Sequence, residues 1–314
     1  MYLKCFKKNN HVLCFLVFFV FGLSFYTNIS YFLSHDSKYL RFFPPFIEGV
    51  NQTFNGHLGA EYYFIAESLA AGKGFSNPFQ VDTGPTAWMP PFYPFFLALL
   101  IKLFRLKMLV ACFIVFIKNL VLVATGVLIY EIGGKPPIKI RAEFTVVLYC
   151  LMLLTYFRWF FQLTHDEWLL LLLICIMFPF SVFIYENHIN YKHALAWGGV
   201  GGFSILTSPV LGFVWFLTSL FVVGEKKNFK PVMLSLCVFI VACSPWFIRN
   251  YLVFNKLILM KSNLYFELYA TNYETAHGLF DEPTFARQHP IWTTKNDPDS
   301  PYKKYGEVQF MCKS

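Results

Sequence analysis

Charge is scarce in this sequence. Asp, Glu, Lys and Arg supply 14% of its 314 residues, while 56% are hydrophobic and 20% aromatic; soluble domains carry roughly 25% charged residues. This balance excludes an ordinary soluble domain and reads as a polytopic membrane protein. Cysteine pairs at ligand spacing are missing as well. Cys14, Cys112, Cys150, Cys175, Cys237 and Cys243 sit inside apolar runs, with no CxxC or Cys/His spacing, so they read as small core residues. Neither a disulfide framework nor structural zinc is expected, and the redox compartment stays open. Walker loops, GxSxG, HExxH and dinucleotide fingerprints are absent, which leaves soluble nucleotide chemistry without support. No internal repeat or low-complexity tract is evident. The net charge of +8 does not point to nucleic acid: Lys and Arg gather in short connectors, where cytoplasmic retention explains them, and no basic face forms.

What is present is a series of apolar runs. Lys4, Lys7 and Lys8 precede the run from Val12 to Leu33, whose ~20 residues suffice to cross a bilayer. The N-terminus is therefore expected in the cytoplasm. No A-x-A site follows the run, which favours a retained first helix over a cleaved signal peptide. Further runs extend over Pro91 to Phe104, Met108 to Ile132, Phe144 to Phe161, Trp168 to Ile184, Leu195 to Val223 and Val232 to Trp246. If each crosses once, the connector with Lys135, Lys139 and Arg141 falls outside, against the positive-inside rule. The preferred count lets Pro91 to Phe104 dip into the outer leaflet and makes Leu195 to Val223 a hairpin broken near Pro209. Lys135, Lys139, Arg141, Lys192, Lys226, Lys227 and Lys230 then lie inside, with Lys102, Arg105 and Lys107 as exceptions. The expected organisation is a cytoplasmic N-terminus and first helix (1–33), a first extracytoplasmic loop (34–89), a helix bundle (90–247) and an extracytoplasmic C-terminal segment (248–314).

Gly59 to Pro94 is a long polar stretch between two very hydrophobic ones, and it is the expected working surface. Ala60 to Ala71 reads as a short amphipathic helix, with Glu61, Ile65 and Ser68 on one stripe. Gly72 and Gly74 end it, and Pro78, Gly84-Pro85 and Pro90-Pro91 predict a fixed, extended loop. Two sequons, Asn28-Ile-Ser and Asn51-Gln-Thr, lie in or near this region.

Acids at a membrane boundary are costly to desolvate. Glu61 and the Asp166-Glu167 pair, which the preferred topology puts on one face, each read either as a general base or holder of a cation, or as a solvated helix start. Arg249 is either an interfacial anchor or a planar guanidinium for a phosphate, with Lys73 and Lys261 as assistants. Lys118-Asn119 is a snorkelling lysine or part of a polar cavity. Tyr63, Phe75, Trp88, Phe92 and Tyr93 give the loop aromatic surface suited to sugar rings or headgroups.

The blocks AEYYFIAESLAAGKGFSNPF, TGPTAWMPPFYPFFLALLIKLF, THDEWLLLLL, GGFSILTSPVL, SPWFIRNYLVFNKLI, KSNLYFELYATN and finally HP with YGEVQFM follow one another in that order. In this order they resemble the integral-membrane glycosyltransferases of the GT-C fold, most closely the family 39 type related to protein mannosyltransferases and aminoarabinose transferases. The likeness runs from about Gly59 to the end. It implies an all-α GT-C-like bundle in a multi-pass plasma (inner) membrane. The implied activity is transfer of a sugar from a polyprenyl-phosphate carrier to a lipid, glycan or protein acceptor on the outer face. By resemblance the catalytic acids are Glu61, Asp166 and Glu167. Arg249 and Asn250 of the PWxxRN block, with Lys73, Trp88, Tyr93 and Lys261, are the expected substrate-binding residues. Many relatives carry an aspartate where this chain has His57-Leu58, so the catalytic role passes to Glu61. No cofactor is required; a divalent cation between the acidic loops is allowed. Several relatives continue with more spans after this point, so a C-terminally truncated copy, active or catalytically silent, is an expectation alongside a lipid or sugar transporter.

Overall fold

The computed structural model describes residues 10–33, 61–79, 81–134, 140–157, 160–161, 165–187, 190–224, 229–272 and 289–313. Several features of the sequence lie outside these residues: Lys4, Lys7 and Lys8, the first half of the first loop (34–60) with the Asn51 sequon, Lys135, Lys139, Thr164, Lys226 and Lys227. The described chain is helical, with one isolated bridge between Ser76 and Pro85. Its helices are α1 (Asn10–Leu33), α2 (Glu61–Ala70), α3 (Phe92–Phe104), α4 (Lys107–Gly133), α5 (Ala142–Thr155), α6 (Glu167–Glu186), α7 (Tyr191–Thr207), α8 (Pro209–Gly224), α9 (Phe229–Phe254), α10 (Leu264–Asn272), α11 (Pro290–Asn296) and α12 (Pro301–Lys313). Among the described residues three stretches are long and apolar enough to cross a membrane: Leu109–Gly133, Glu167–Glu186 and Phe229–Phe254. Their outward faces carry large apolar side chains such as Phe116, Phe178 and Val241, at 50%, 43% and 70% exposure. A contiguous surface of that kind suits lipid rather than water.

The run around Pro209 is a hairpin. Helix α7 stops at Ser208 and α8 starts at Pro209, where the proline ring and its missing N–H suit a first helical turn. Two hydrogen bonds across the break tie the arms: Trp197 Nε1 donates to Ser219 Oγ and Trp215 Nε1 to the Trp197 carbonyl, both at 2.9 Å. The glycines let helices approach closely. A Cβ on Gly198 would meet the Ser235 carbonyl at 2.5 Å, and one on Gly202 the Ala242 Cβ at 2.5 Å. Small residues thus pack α7 onto α9, as in many membrane helix pairs.

Three expectations need correction. First, the last long helix does not end near Trp246 but runs through Pro245 to Phe254. Pro245 lacks the N–H that would reach the Val241 carbonyl, and Ser244 Oγ donates to that carbonyl at 3.0 Å instead, a substitution that lets proline sit inside an apolar helix. Arg249 and Asn250 therefore stand on the last turns of α9. Second, α2 is not an amphipathic surface helix. Glu61, Tyr63, Phe64, Ile65, Ala66 and Ser68 are all buried, because α3 covers one side and the segments after α9 cover another.

Third, the loop after α2 folds back on itself instead of running extended. Asn77, at φ 59°, donates its backbone N–H to the Gly84 carbonyl at 3.0 Å. Its side-chain Oδ1 accepts from the N–H groups of Thr83 and Gly84, both at 2.9 Å. Asn tolerates this left-handed backbone better than other non-glycine residues, and its short amide can close the turn locally.

Candidate active site

Glu61 opens α2, and the residues around it come from distant parts of the chain. The carboxylate is 3% exposed. His289 Nε2 lies 3.4 Å from its Oε1. Burial pushes the Glu61 carboxyl up from 4.5 to about 7, while His165 and Lys261 pull it the other way. A carboxyl poised there is half ionised near neutral pH, the condition for a general base. The next residue, Tyr62, donates its hydroxyl to Asp166 Oδ2 at 3.2 Å. Asp166, immediately before α6, is pushed up to about 6 by burial and by the neighbouring Glu167 charge. His165 Nδ1 stands 3.4 Å from Glu167 Oε1.

The two acidic segments thus meet through Tyr62–Asp166. Lys118, 1% exposed on α4, has Glu167 as a charge partner and lies inside the bundle, so it does not snorkel. Beside it the buried Asn119 Oδ1 and Glu167 Oε2 have no hydrogen-bond partner. Among the described residues no group of three or more His, Cys, Asp or Glu side chains is placed to hold a metal ion. The acids of this corner are instead engaged one by one with histidine or tyrosine.

Lys261 stands at the rim of the same corner, 4.0 Å from Glu267 Oε1. Lys73 and Arg249 do not. They line a cavity of about 660 Å³ whose walls are apolar, among them Leu69, Phe92, Phe95, Leu206 and Val253. Arg249 is anchored there by the protein itself. One terminal nitrogen donates to the Thr86 carbonyl at 2.7 Å and to Asn250 Oδ1 at 2.9 Å, and the other to the Phe75 carbonyl at 2.8 Å. Its guanidinium carbon also lies 5.1 Å from the Trp246 ring centre and 5.5 Å from that of Phe75. The folded-back loop is pinned to α9 by these contacts, and the half-buried guanidinium still faces the cavity. A small core of Ile65, Phe75, Trp246 and Met260 packs beside the cavity, which Phe75 and Trp246 also line.

Three expected substrate contacts, Trp88, Tyr93 and Asn250, are buried against protein groups. Trp88 and Tyr93 are each 1% exposed. Trp88 is enclosed edge-to-face by Phe79 at 4.8 Å and His289 at 5.6 Å, and Tyr93 by Tyr62 at 5.2 Å. Neither offers an open ring to a sugar, because the fold spends both on joining α2, α3 and the C-terminal segment. Asn250 is 0% exposed and donates to the Ile258 carbonyl at 3.0 Å, which fixes the turn after α9.

Two residues carry more of the site than the sequence indicated. Glu307 is a buried carboxylate fully used as an acceptor: it takes hydrogen bonds from Thr86 Oγ1, from the Ala87 N–H at 2.7 Å, from Ser262 Oγ at 2.7 Å and from the Tyr302 hydroxyl at 2.7 Å. It welds the first loop to α12. Gly306, at φ 71°, makes the break in α12 that precedes this carboxylate, a conformation glycine adopts without penalty. In the sequence Glu307 stands only within the YGEVQFM block, with no role of its own. His289 is different: it precedes Pro290, the first residue of α11, and a polar residue before an N-terminal proline is an N-cap pattern. Comparison with family models, curated proteins and solved structures finds no match to this chain.

Proposed function

We propose that the chain is a membrane glycosyltransferase of GT-C type. In this reading it moves a sugar from a polyprenyl-phosphate carrier to a lipid, glycan or protein hydroxyl on the outer face of the plasma (inner) membrane. The observation that carries the reading is the pairing of an apolar cavity bearing Arg249 and Lys73 with a buried carboxyl, Glu61, at the start of the short helix whose Leu69 lines that cavity. An apolar wall suits the prenyl chain, and a guanidinium with an ammonium suits a phosphate.

The chemistry follows from these roles. The acceptor oxygen attacks the anomeric carbon and its proton passes to Glu61. As that bond forms, the bond from the anomeric carbon to the phosphate oxygen breaks, and its electron pair leaves on the lipid phosphate. Positive charge builds on the sugar and negative charge on the leaving group. A base within hydrogen-bond reach of the acceptor and reacting atoms ~3 Å apart place the phosphate about 7–9 Å from the base. Along α2, Glu61 and Leu69 are about 12 Å apart at 1.5 Å per residue, the same order of separation. Asp166, held by Tyr62, and Glu167 keep the corner acidic, and Lys261 at the rim offsets the charge that Glu61 carries before it takes the proton.

Binding of the carrier is testable by itself. Native mass spectrometry of the protein in nanodiscs with added polyprenyl phosphate should show a bound lipid. Lys73→Gln and Arg249→Lys should weaken it while the corresponding uncharged prenol binds poorly to all three. Equal binding of prenol and prenyl phosphate would remove the phosphate role of the cavity.

A further inference from the structure

We infer that His289 is a positioning residue for Glu61, a histidine locked in one tautomer that presents its Nε2–H to the Glu61 carboxylate. The lock is geometric. The Ile291 backbone N–H donates to His289 Nδ1 at 3.2 Å, so Nδ1 is the acceptor nitrogen of a neutral ring and the proton sits on Nε2. That nitrogen faces Glu61 Oε1 at 3.4 Å. The separation exceeds a settled N–H···O bond of about 2.7–3.2 Å. Catalytic hydrogen bonds are commonly long before substrate arrives.

The ring has no freedom to turn away. Phe79, Trp88 and Phe266 meet it edge-to-face with centroids at 5.9, 5.6 and 5.5 Å, and it is 6% exposed. One side chain therefore does two jobs: Nδ1 caps α11, and Nε2 holds the carboxylate. The imidazole is not the base itself, since its lone pair is already spent on Ile291. Its N–H favours the ionised form of Glu61 and fixes which oxygen remains for the acceptor. The other charged groups that act on Glu61 are His165 before α6, Lys261, and Glu267 on α10, and none of them comes from α11.

This inference takes from the proposed function only the importance of Glu61, and two substitutions separate the two jobs. His289→Asn keeps an acceptor at the Nδ1 position, and asparagine is a good N-cap, but it falls short of Glu61. His289→Gln keeps a donor at the Nε2 position and loses the cap. The readout is an infrared pH titration of the carboxyl band in the full chain in nanodiscs, with Glu61→Gln identifying the Glu61 component. His289→Asn should raise the Glu61 midpoint by about one pH unit, a tenfold change in its ionisation equilibrium. His289→Gln should leave it near the wild-type value while lowering the melting temperature.

An unmoved midpoint in His289→Asn, or the same movement in both variants, overturns the inference. If the midpoint moves as expected and no variant or wild type transfers sugar, the inference stands and the transferase reading falls. If transfer is normal and the midpoint does not move, the reverse holds.

Discussion

Removing the Glu61 carboxylate should stabilise the protein. In the folded chain its carboxyl sits at about 7 against an ordinary 4.5, because burial penalises the charge. A raised folded value means that the stabilising contribution is complete below about 4.5 and is lost as pH rises through 7. The shift is worth about 3 kcal/mol at pH 8. Glu61→Gln removes the ionisation and leaves an acceptor for His289. It should therefore melt several degrees above wild type at pH 8 and at nearly the same temperature at pH 4.5.

The wild-type curve alone does not isolate this effect. Burial pushes His289 down from 6.5 to about 3, so its contribution has the opposite sign: stability rises with pH between those values. Asp166, raised from 3.8 to about 6, runs the same way as Glu61. The difference in melting temperature between wild type and Glu61→Gln, taken across pH 4.5 to 8.5 in nanodiscs, cancels both to first order. A difference that does not grow with pH, or a variant less stable at pH 8, would refute the reasoning. A buried charge held at a cost to stability is what a functional carboxylate looks like.

Other perturbations have equally definite outcomes. Glu307→Gln should cost about 2–4 kcal/mol, read as a lower melting temperature, because at least one of its four donors is left facing an amide N–H. Gly198→Ala drives a methyl into the Ser235 carbonyl and should cost about 1–3 kcal/mol, whereas Gly199→Ala, with nothing within 4 Å of its Cβ, should be neutral or slightly stabilising by thermal melting. Tyr62→Phe removes a donor from Asp166, so the Asp166 carboxyl band should titrate at a higher pH than in wild type.

The helical character and the Pro209 hairpin were legible because local signals carry them: apolar runs of bilayer length, and a glycine-rich stretch leading to a proline. The start of α2 was legible for the same reason. What escaped the sequence depends on contacts between distant residues. Pro245 reads as a helix end, and only the Ser244–Val241 hydrogen bond explains why the helix continues. Pro78, Gly84 and Pro85 read as an extended loop, yet the Arg249 guanidinium gathers the Phe75 and Thr86 carbonyls and Asn77 closes the fold-back. Aromatic side chains beside a polar loop look like binding surface. Whether Trp88 faces solvent or α12 depends on Tyr302 and Glu307, more than two hundred residues away.

The most direct test of the transferase account is sugar transfer itself, measured in membranes with a panel of radiolabelled polyprenyl-phosphate sugars. The comparison is between wild type and Glu61→Gln expressed at matched levels, with a melting curve of the variant taken alongside to establish that it is folded. The account predicts label in a new glycosidic product with wild type and a loss of about 10²–10⁴-fold in rate with Glu61→Gln. Movement of labelled donor across the membrane with no new glycosidic bond, or equal transfer by both proteins, would contradict it.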